Sequence, residues 1–277
     1  MGRAKVARTR ETGRQRRDRP ALRRELGQHH LRDPRAARPL VDYLRPAGRT
    51  VLEVGPGGGA LTGLLAEAGA LRVVAVELDP AWAFHLAGGS AAGGRDLVVA
   101  DALDLAWGRL PEGWRVAGNL PYQIGTALLE RILAAAPPGV RCGFLLQKEV
   151  VERLVARPGG REYGALSVLV AARASVVRLG TLRPGAFVPR PAVDSAFVGV
   201  ELRSAPLDAA GMAAFERVVR AAFGQRRKTL RNALGAVFGR GRAEAALAAA
   251  GIAPGERAER LDLAAFLRLT AELAPSG

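Results

Sequence analysis

An amide, a proline and an aromatic ring stand together in the tetrapeptide Asn119-Leu120-Pro121-Tyr122. Asn119 Oδ1 and a backbone carbonyl can accept hydrogen bonds from both N–H groups of an amine, and the Tyr122 ring can stack on a flat base. The amine of such a base is a poor nucleophile because its lone pair is delocalised into the ring. Acceptors that favour a pyramidal nitrogen free this lone pair to attack the methyl group of a sulfonium. Catalysis would then rest on positioning and electrostatics, and the methylated amine can lose its proton to water.

The tetrapeptide follows an apolar run at residues 114–118, which predicts a strand, and precedes a helix expected from about Thr126. In an open α/β sheet, ligands bind beyond the carboxyl ends of the strands. Further apolar runs separated by helical segments predict a doubly wound, Rossmann-like α/β domain. Its other strands are expected at residues 50–54, 72–77, 96–100 and 142–146, with apolar segments at 166–179 and 195–202 completing the sheet. Its helices are expected at residues 33–44, 60–68, from 79 onward and at 148–155.

Three features at the predicted strand ends indicate a nucleoside-containing cofactor. Gly55, Gly57 and Gly59 form a loop in which the backbone can turn tightly and approach a ligand. Glu77 ends the second strand, where a carboxylate can accept hydrogen bonds from both ribose hydroxyls. Asp101 follows the third strand and can accept a hydrogen bond from an adenine amino group. These features suit NAD and S-adenosylmethionine equally, but hydride transfer has no need of the tetrapeptide, so we expect S-adenosylmethionine.

The composition favours a nucleic-acid partner over a membrane surface. The chain has 277 residues and a net charge of +15, and a balance this basic indicates a polyanion. No apolar stretch approaches the length of a membrane span, and the N-terminus lacks the apolar segment of a secretory signal. Cys142 is the one cysteine and is expected to be a buried, inert thiol. With three histidines besides it, no metal site is predicted, and we expect a cytoplasmic monomer.

The positive charges concentrate in two places. Residues 1–24 carry ten Arg or Lys and almost nothing apolar, which predicts a disordered arm that seeks phosphates. Beyond Pro206 the sequence predicts helices at residues 212–223, 227–238, 243–250 and 262–273, and therefore a small helical domain. We accordingly divide the chain into residues 1–25, 26–203 and 204–277. The second basic cluster lies on the predicted helix 227–238 and just before it, and its side chains are expected to contact phosphates: Arg226, Arg227, Lys228 and Arg231.

In the order and spacing of these motifs, the chain resembles the rRNA adenine N6-dimethyltransferase family over residues 27–273. The matching pieces are, in chain order, Gly27-Gln28 with Leu31, residues 51–62, Val76-Glu77-Leu78-Asp79, Asp101-Ala102, residues 119–122, residues 146–151, Tyr163-Gly164 with Leu166-Ser167-Val168, residues 187–191 with Val193-Asp194-Ser195, and residues 225–232.

The resemblance implies a Rossmann-like methyltransferase domain, a helical C-terminal domain, S-adenosylmethionine as methyl donor, and rRNA or a pre-ribosomal subunit as partner. It implies that Phe187 faces the target base across from Tyr122, so that two rings enclose a base flipped out of its helix. The catalytic residues expected on this basis are Asn119, Leu120, Tyr122 and Phe187. The cofactor contacts expected are His29, Leu31, Gly55, Gly57, Glu77, Asp101 and Asn119.

Two branches of this family compete as the closer match. One dimethylates adjacent adenines near the 3′ end of small-subunit rRNA during maturation, and the other modifies one adenine of large-subunit rRNA and confers macrolide-type antibiotic resistance. Residues 147–149, 194–196 and 226–232 resemble the maturation branch, which we favour, whereas the Arg-rich arm resembles some resistance enzymes. A non-catalytic rRNA-binding assembly factor and an NAD-dependent oxidoreductase stay open as alternatives from other classes.

Two positions depart from the family pattern. The family usually has Asn-Phe where this chain has His29-His30, and Gln123 replaces an Asn that often follows the tetrapeptide. A family contact made through the backbone would tolerate His29, whereas one made through the amide would not. We expect both histidines to be solvated or packed rather than to act as bases.

Overall fold

The computed structural model describes Pro20 and residues 29–87, 95–225 and 228–274. The other residues of the predicted basic arm, and also Gly27, Gln28, Arg226 and Arg227, lie outside the described residues. The predictions made for them therefore stay predictions.

Strands and helices alternate through the first two thirds of the chain. The strands are β1 (His30–Leu31), β2 (Thr50–Val54), β3 (Arg72–Glu77), β4 (Arg95–Val99), β5 (Arg115–Asn119), β6 (Arg141–Gln147), β7 (Ala174–Leu182), β8 (Phe187–Val188) and β9 (Ser195–Leu202). The α-helices are α1 (Arg38–Leu44), α2 (Ala60–Glu67), α3 (Pro80–Ala87), α4 (Gly125–Ala135), α5 (Lys148–Leu154), α6 (Ala165–Arg173), α7 (Ala209–Phe223), α8 (Leu230–Phe238), α9 (Arg240–Ala249) and α10 (Leu263–Leu273).

The main sheet has the strand order β4-β3-β2-β5-β6-β9-β7. The first five strands pair in parallel, whereas β9 pairs antiparallel with both β6 and β7. The chain runs outward from β2 to β4 and then returns to place β5 on the other side of β2. This reversal creates a crevice beyond the carboxyl ends of β2 and β5, which is where open α/β sheets bind ligands. The predicted fold class, Rossmann-like α/β with C-terminal helices, is confirmed.

Alternate residues of the central strands enter two different hydrophobic clusters, as the pleat of a strand requires. On β5, Val116 belongs to a cluster with residues of α4 and α5, whereas Ala117 belongs to a cluster with residues of α1 and α2. On β6, Phe144 and Leu145 divide in the same way. Helices therefore cover both faces of the sheet, which explains why these strands are continuous apolar runs.

Two predicted elements are divided in the structure. The apolar segment 166–179 was expected to complete the sheet, but α6 takes its first part and β7 starts only at Ala174. The helix predicted at residues 33–44 begins as a 3-10 turn, Pro34–Ala37, whose N-cap Asp33 accepts a hydrogen bond from the Arg35 amide. Pro39 lies in the first turn of α1, where a missing N–H is tolerated, so the second proline starts a new helix.

A second, two-stranded sheet joins distant parts of the chain. His30 pairs with Val188 and Leu31 with Phe187, antiparallel, and the Arg32 amide donates to the Ala186 carbonyl. This pairing was not predicted. It fixes residues 29–32 against the loop that leads into β9, next to the crevice.

The C-terminal helices α7 to α10 pack around their own hydrophobic cluster, which includes Phe215, Leu234 and Phe266. Tyr163 and Val168, from before and within α6, also belong to this cluster. The division between residues 203 and 204 stays a prediction. Among the described residues, no helix combines the length and the apolar character needed to cross a bilayer.

Candidate active site

The glycine loop after β2 is shaped by three backbone conformations that favour glycine. Gly55, Gly57 and Gly59 have φ values of 65°, 49° and 77°, in the left-handed region where a side chain is strained. A Cβ on Gly57 would lie 2.8 Å from His30 Cε1. The loop therefore turns sharply into α2 and leaves its backbone open to the cleft that Gly55 and Gly57 line.

Glu77, at the end of β3, holds this loop in place. Its Oε2 accepts a hydrogen bond from the Gly57 amide at 3.1 Å, and its Oε1 accepts one from the Asp79 amide at 3.0 Å. The side chain is 6% exposed, and burial raises the pKa of its carboxyl group against the lowering effect of these backbone bonds. Each carboxylate oxygen keeps a second lone pair, so Glu77 can still accept hydrogen bonds from a ribose.

Two further carboxylates line the same cleft. Asp101 follows β4, and its Oδ1 accepts a hydrogen bond from the Leu103 amide at 2.8 Å, so it caps a 3-10 turn as well as facing the cleft. Glu53 was not predicted as a site residue. It is 1% exposed, its Oε2 accepts from the Thr62 hydroxyl at 2.6 Å, and it lines the cleft next to Gly55. Its signal in the sequence was a charge inside an apolar strand.

Asn119 ends β5 with its side-chain orientation fixed. Its Nδ2 donates a hydrogen bond of 2.7 Å to the His29 carbonyl. Because a carbonyl can only accept, the NH₂ group must point to His29 and Oδ1 must point elsewhere. Among the described residues Oδ1 has no hydrogen-bond donor. Oδ1 can therefore accept a hydrogen bond from a ligand, and the role expected of Asn119 towards an amine stays a prediction.

Leu120 and Tyr122 are held by neighbouring strands. The Leu120 amide donates to the Leu145 carbonyl of β6, its side chain is buried, and its carbonyl accepts no hydrogen bond from the described residues. The Tyr122 hydroxyl lies 2.6 Å from the Ser195 hydroxyl at the start of β9. Burial raises the pKa of Tyr122, although the Ser195 bond opposes this, so the phenol is neutral at physiological pH. Ser195 lies in a segment that resembles the family, but its contact with Tyr122 was not predicted, since it depends on the β6–β9 register.

Phe187 does not face the cleft in this structure. Its ring is 1% exposed and belongs to the hydrophobic cluster of α1 and α2, and it is not among the residues that line the cleft. Phe187 pairs with Leu31 in the sheet of β1 and β8, and Leu31 packs against the same cluster. The role expected of Phe187, as the wall opposite Tyr122 around a flipped base, stays a prediction.

The His29 side chain brings another ring next to Tyr122. The His29 and Tyr122 ring centroids are 5.3 Å apart, and His29 Nδ1 lies 2.8 Å from the Pro189 carbonyl. His30 instead packs on Trp82, with ring centroids 4.5 Å apart, and against Gly57 and Gly58. His29, His30 and Leu31 all line the cleft, and the cofactor contacts expected at His29 and Leu31 stay predictions.

The second basic cluster differs from its predicted form. Helix α8 begins at Leu230, not at residue 227, because Thr229 is extended (φ −69°, ψ 158°) and serves as N-cap. Lys228 therefore lies before the helix and does not share a helical face with Arg231. Lys228 is exposed, whereas Arg231 Nε lies 3.9 Å from Glu244.

The cleft fits S-adenosylmethionine. It runs from the glycine loop past Glu77 and Asp101 to Asn119 and Tyr122. A Cβ on Gly55 would lie 4.0 Å from the Asn119 carbonyl oxygen, so glycine at this position keeps a side chain out of the cleft. Among the described residues, no cluster of His, Cys, Asp or Glu could hold a metal ion. Cys142 is fully buried in β6, and burial raises the pKa of its thiol to about 12.

This sheet, its crevice and the groups that line it define a Rossmann-like, S-adenosylmethionine-dependent methyltransferase. Comparison with known proteins narrows this class. Residues 20–275 match the family described as ribosomal RNA adenine dimethylase, and the chain belongs to that family.

Relatives with established names match almost the full chain. The ribosomal RNA small subunit methyltransferase A of Aromatoleum aromaticum is 42% identical over 253 residues, covering 90% of this chain and 92% of that protein. The protein of the same name from Kineococcus radiotolerans is 44% identical over 255 residues, covering 89% of this chain and 84% of that protein.

Two solved structures share the architecture. The 23S rRNA methyltransferase ErmE superposes with a TM-score of 0.65 at 30% identity, covering 88% of this chain and 98% of that chain. A dimethyladenosine transferase from Plasmodium falciparum superposes with a TM-score of 0.71 at 20% identity, covering 86% of this chain and 95% of that chain, which supports the fold.

Proposed function

We propose that this enzyme dimethylates the N6 amine of adenine in small-subunit rRNA during ribosome maturation. The relatives that are 42 to 44% identical act, by their names, on the small subunit, whereas the similar large-subunit enzyme is 30% identical. The observation that carries the chemistry is the fixed Asn119 amide, whose Nδ2 is bound to the His29 carbonyl. Its Oδ1 is thereby presented to an amine.

The mechanism uses hydrogen-bond acceptors and an aromatic platform. Asn119 Oδ1 accepts one N6–H group, and the Leu120 carbonyl is available for the other, which favours a pyramidal nitrogen. Tyr122 stacks on the adenine and fixes its plane, while Ser195 holds the Tyr122 hydroxyl. When bound, S-adenosylmethionine supplies an electrophilic methyl group on its sulfonium. Preorganised acceptors of this kind stabilise the positive charge that develops on N6.

The cofactor end of the site is assigned to the glycine loop and to the two strand-end carboxylates. Glu77 accepts hydrogen bonds from the ribose hydroxyls, and Asp101 Oδ2 accepts one from the amino group of the cofactor's adenine. Gly55 and Gly57 let the backbone approach the ligand. The cofactor is thereby held along the strand ends with its reactive end towards Asn119.

The basic residues outside the cleft are proposed to bind rRNA. The arm at residues 1–24 and the cluster Arg226, Arg227, Lys228 and Arg231 are proposed to contact phosphates. We infer that the enzyme is a monomer that acts on a pre-ribosomal subunit in the cytoplasm.

The test is methyl transfer from labelled S-adenosylmethionine to small-subunit and large-subunit rRNA in separate reactions, followed by nucleoside analysis. We expect N6,N6-dimethyladenosine in small-subunit rRNA. Asn119→Ala should lower the single-turnover rate by about 10² to 10³-fold, the usual loss for one preorganised group, with rRNA affinity retained. No transfer by the unmodified protein would support a non-catalytic assembly factor, and label in large-subunit rRNA alone would support the resistance branch.

A further inference from the structure

His29 contacts Asn119, Tyr122 and Pro189 at the end of the cleft where the adenine is proposed to bind. Its carbonyl accepts the Asn119 Nδ2 hydrogen bond at 2.7 Å. Its imidazole has Nδ1 at 2.8 Å from the Pro189 carbonyl and its centroid 5.3 Å from that of Tyr122. The next residue, His30, pairs antiparallel with Val188, and this pairing holds the backbone at position 29 in place. Residue 29 therefore holds Asn119 through its backbone carbonyl and lies beside Tyr122 through its ring.

The Pro189 contact also determines the tautomer of the ring. A backbone carbonyl has only lone pairs, so Nδ1 must carry the hydrogen in this 2.8 Å contact. In the neutral imidazole, Nε2 then has no hydrogen and carries a lone pair. His29 consequently brings a basic acceptor to the cleft, in addition to the oxygen of Asn119.

The ring spacing puts this acceptor at the edge of the bound base. Two stacking contacts in series need about 7 Å between the outer rings, whereas the His29 and Tyr122 centroids are 5.3 Å apart with the planes tilted by 33°. A base stacked on Tyr122 therefore does not fit between the two rings. Its N6 edge, selected by Asn119 Oδ1, is then next to residue 29, whose backbone carbonyl holds Asn119 and whose ring lies beside Tyr122.

The other ionisable groups around this end of the cleft make hydrogen bonds or ring contacts with other partners. Glu77 accepts two backbone amides, Asp101 caps a turn, and the Tyr122 hydroxyl is bound to Ser195. Glu53 accepts the Thr62 hydroxyl, His30 packs on Trp82, and Arg32 donates to the Phe187 carbonyl. Of these described groups, His29 is the one in contact with both Asn119 and Tyr122.

We propose that His29 Nε2 is a hydrogen-bond acceptor for the adenine N6 amine and receives its proton. Asn119 Oδ1 takes one N6–H group, and the imidazole lone pair and the Leu120 carbonyl compete for the other. As the N6 lone pair forms its bond to the methyl carbon, the methyl–sulfur bond breaks with its electron pair going to sulfur, and N6 becomes cationic. The basic imidazole is then the stronger acceptor, and the proton passes from N6 to Nε2, which gives imidazolium and a neutral methylated amine.

This role rests on the proposed action on adenine N6. Because the family usually carries Asn at this position, an acceptor nitrogen here is a property of the present chain.

A matched pair of substitutions separates the acceptor from the ring. His29→Phe keeps a ring beside Tyr122 but has no acceptor, whereas His29→Gln can place an amide oxygen near the position of Nε2. The single-turnover rate of His29→Phe should fall about tenfold to a hundredfold, the size of a hydrogen bond to developing charge. His29→Gln should recover much of this loss. S-adenosylhomocysteine affinity should change less than about threefold if the cofactor contact expected at residue 29 is made through the backbone, and rRNA affinity should change as little.

The unmodified protein gives a second, activity-independent readout. Nitrogen-15 NMR of the three histidines, with His29→Gln used for assignment, should show the Nδ1–H tautomer at His29. An Nε2–H tautomer would overturn the proposal. So would full activity of His29→Phe, or a rate increase in either variant, which would mean that the imidazole obstructs the base. If the unmodified protein transfers no methyl group to adenine, the proposed function itself fails, and the NMR result still reports on the tautomer.

Discussion

At the residue scale, the position of the Tyr122 ring depends on one hydrogen bond between the turn after β5 and the start of β9. The Tyr122 hydroxyl lies 2.6 Å from the Ser195 hydroxyl, and Ser195 is fully buried. Tyr122→Phe or Ser195→Ala alone leaves one hydroxyl without its partner, which costs about 1 to 3 kcal/mol. We expect each single variant to lower the free energy of unfolding by this amount in urea titrations.

The double variant provides the control for this pair. Removing both hydroxyls leaves no unpaired group, so Tyr122→Phe with Ser195→Ala should cost about as much as one single variant or less. Methyl-transfer rates should follow the same pattern, because the bond positions the ring. Additive losses would mean that the two hydroxyls act independently.

The raised pKa of Glu77 predicts that cofactor binding depends on pH. Burial raises the pKa of its carboxyl group above the ordinary value of 4.5, with the charge of Asp79 adding to the effect. A folded-state pKa above the unfolded value means that the fold favours the protonated acid, so this contribution to stability is present below pH 4.5 and is lost as pH rises through the folded pKa. Ribose hydroxyls donate to the ionised form, so cofactor binding has the opposite preference.

The affinity for S-adenosylhomocysteine should therefore rise with pH through the raised pKa, by at most about tenfold per pH unit. Calorimetric titrations in buffers of different ionisation enthalpy should detect proton release on binding in this range. Glu77→Gln keeps the shape of the side chain and removes its charge, so its affinity should be lower and independent of pH here. A proton release that persists in Glu77→Gln would assign the effect to another group.

At the element scale, the turn from β2 into α2 requires glycine at one position and merely tolerates it at another. Gly57 has a φ of 49°, and a Cβ there would lie 2.8 Å from His30 Cε1. Gly63 lies within α2, and a Cβ there would meet no atom within 4 Å. Gly57→Ala should lower the free energy of unfolding by about 1 to 2 kcal/mol, the cost of a left-handed conformation with a side chain, and weaken cofactor binding.

Gly63→Ala is the matched control because it makes the same chemical change in the neighbouring helix. It should raise the free energy of unfolding by about 0.5 to 1 kcal/mol, since alanine loses less backbone freedom than glycine in a helix. Cofactor affinity should be unchanged. Equal effects of the two substitutions would show that the loop conformation is not held by Gly57.

The burial of the central strands explains which elements could be predicted from the sequence. Strands β2, β3, β5 and β6 are buried on both faces, so each is a continuous apolar run, and each lies within about a residue of its prediction. The site residues at their carboxyl ends, such as Glu77 and Asn119, could be placed for this reason. Chain order and the parallel-sheet rule were enough to bring them together.

The remaining features depend on pairing between distant segments. Strands β1 and β8 have two residues each, too few to show any periodicity, yet their pairing buries Phe187 and fixes His29 beside Tyr122. The boundary between α6 and β7 falls between Arg173 and Ala174, without a glycine or proline to mark it. Ser195 reaches Tyr122 only through the β6–β9 register. None of these contacts has a local signal in the sequence.

At the scale of the whole molecule, the positive charge of the chain is partly neutralised where the structure describes it. Arg72 pairs with Asp96, Arg220 with Glu130 and Glu216, and Arg240 with Glu244. Such exposed pairs contribute little to stability, but they reduce the charge available to phosphates. Lys228 is exposed and has no ion pair with any described residue, so its full charge is available to rRNA.

Lys228 and Arg72 therefore make a matched test of the proposed rRNA surface. Arg72 starts β3, at the amino end of the sheet and away from the cleft, whereas Lys228 lies among the helices beyond β9. If Lys228 contacts a phosphate, Lys228→Gln should weaken rRNA binding and reduce the slope of log affinity against log salt by about 0.7 to 0.9. Arg72→Gln should leave this slope unchanged. An equal slope change in both variants would mean that net charge alone drives binding and that rRNA does not select the surface around Lys228.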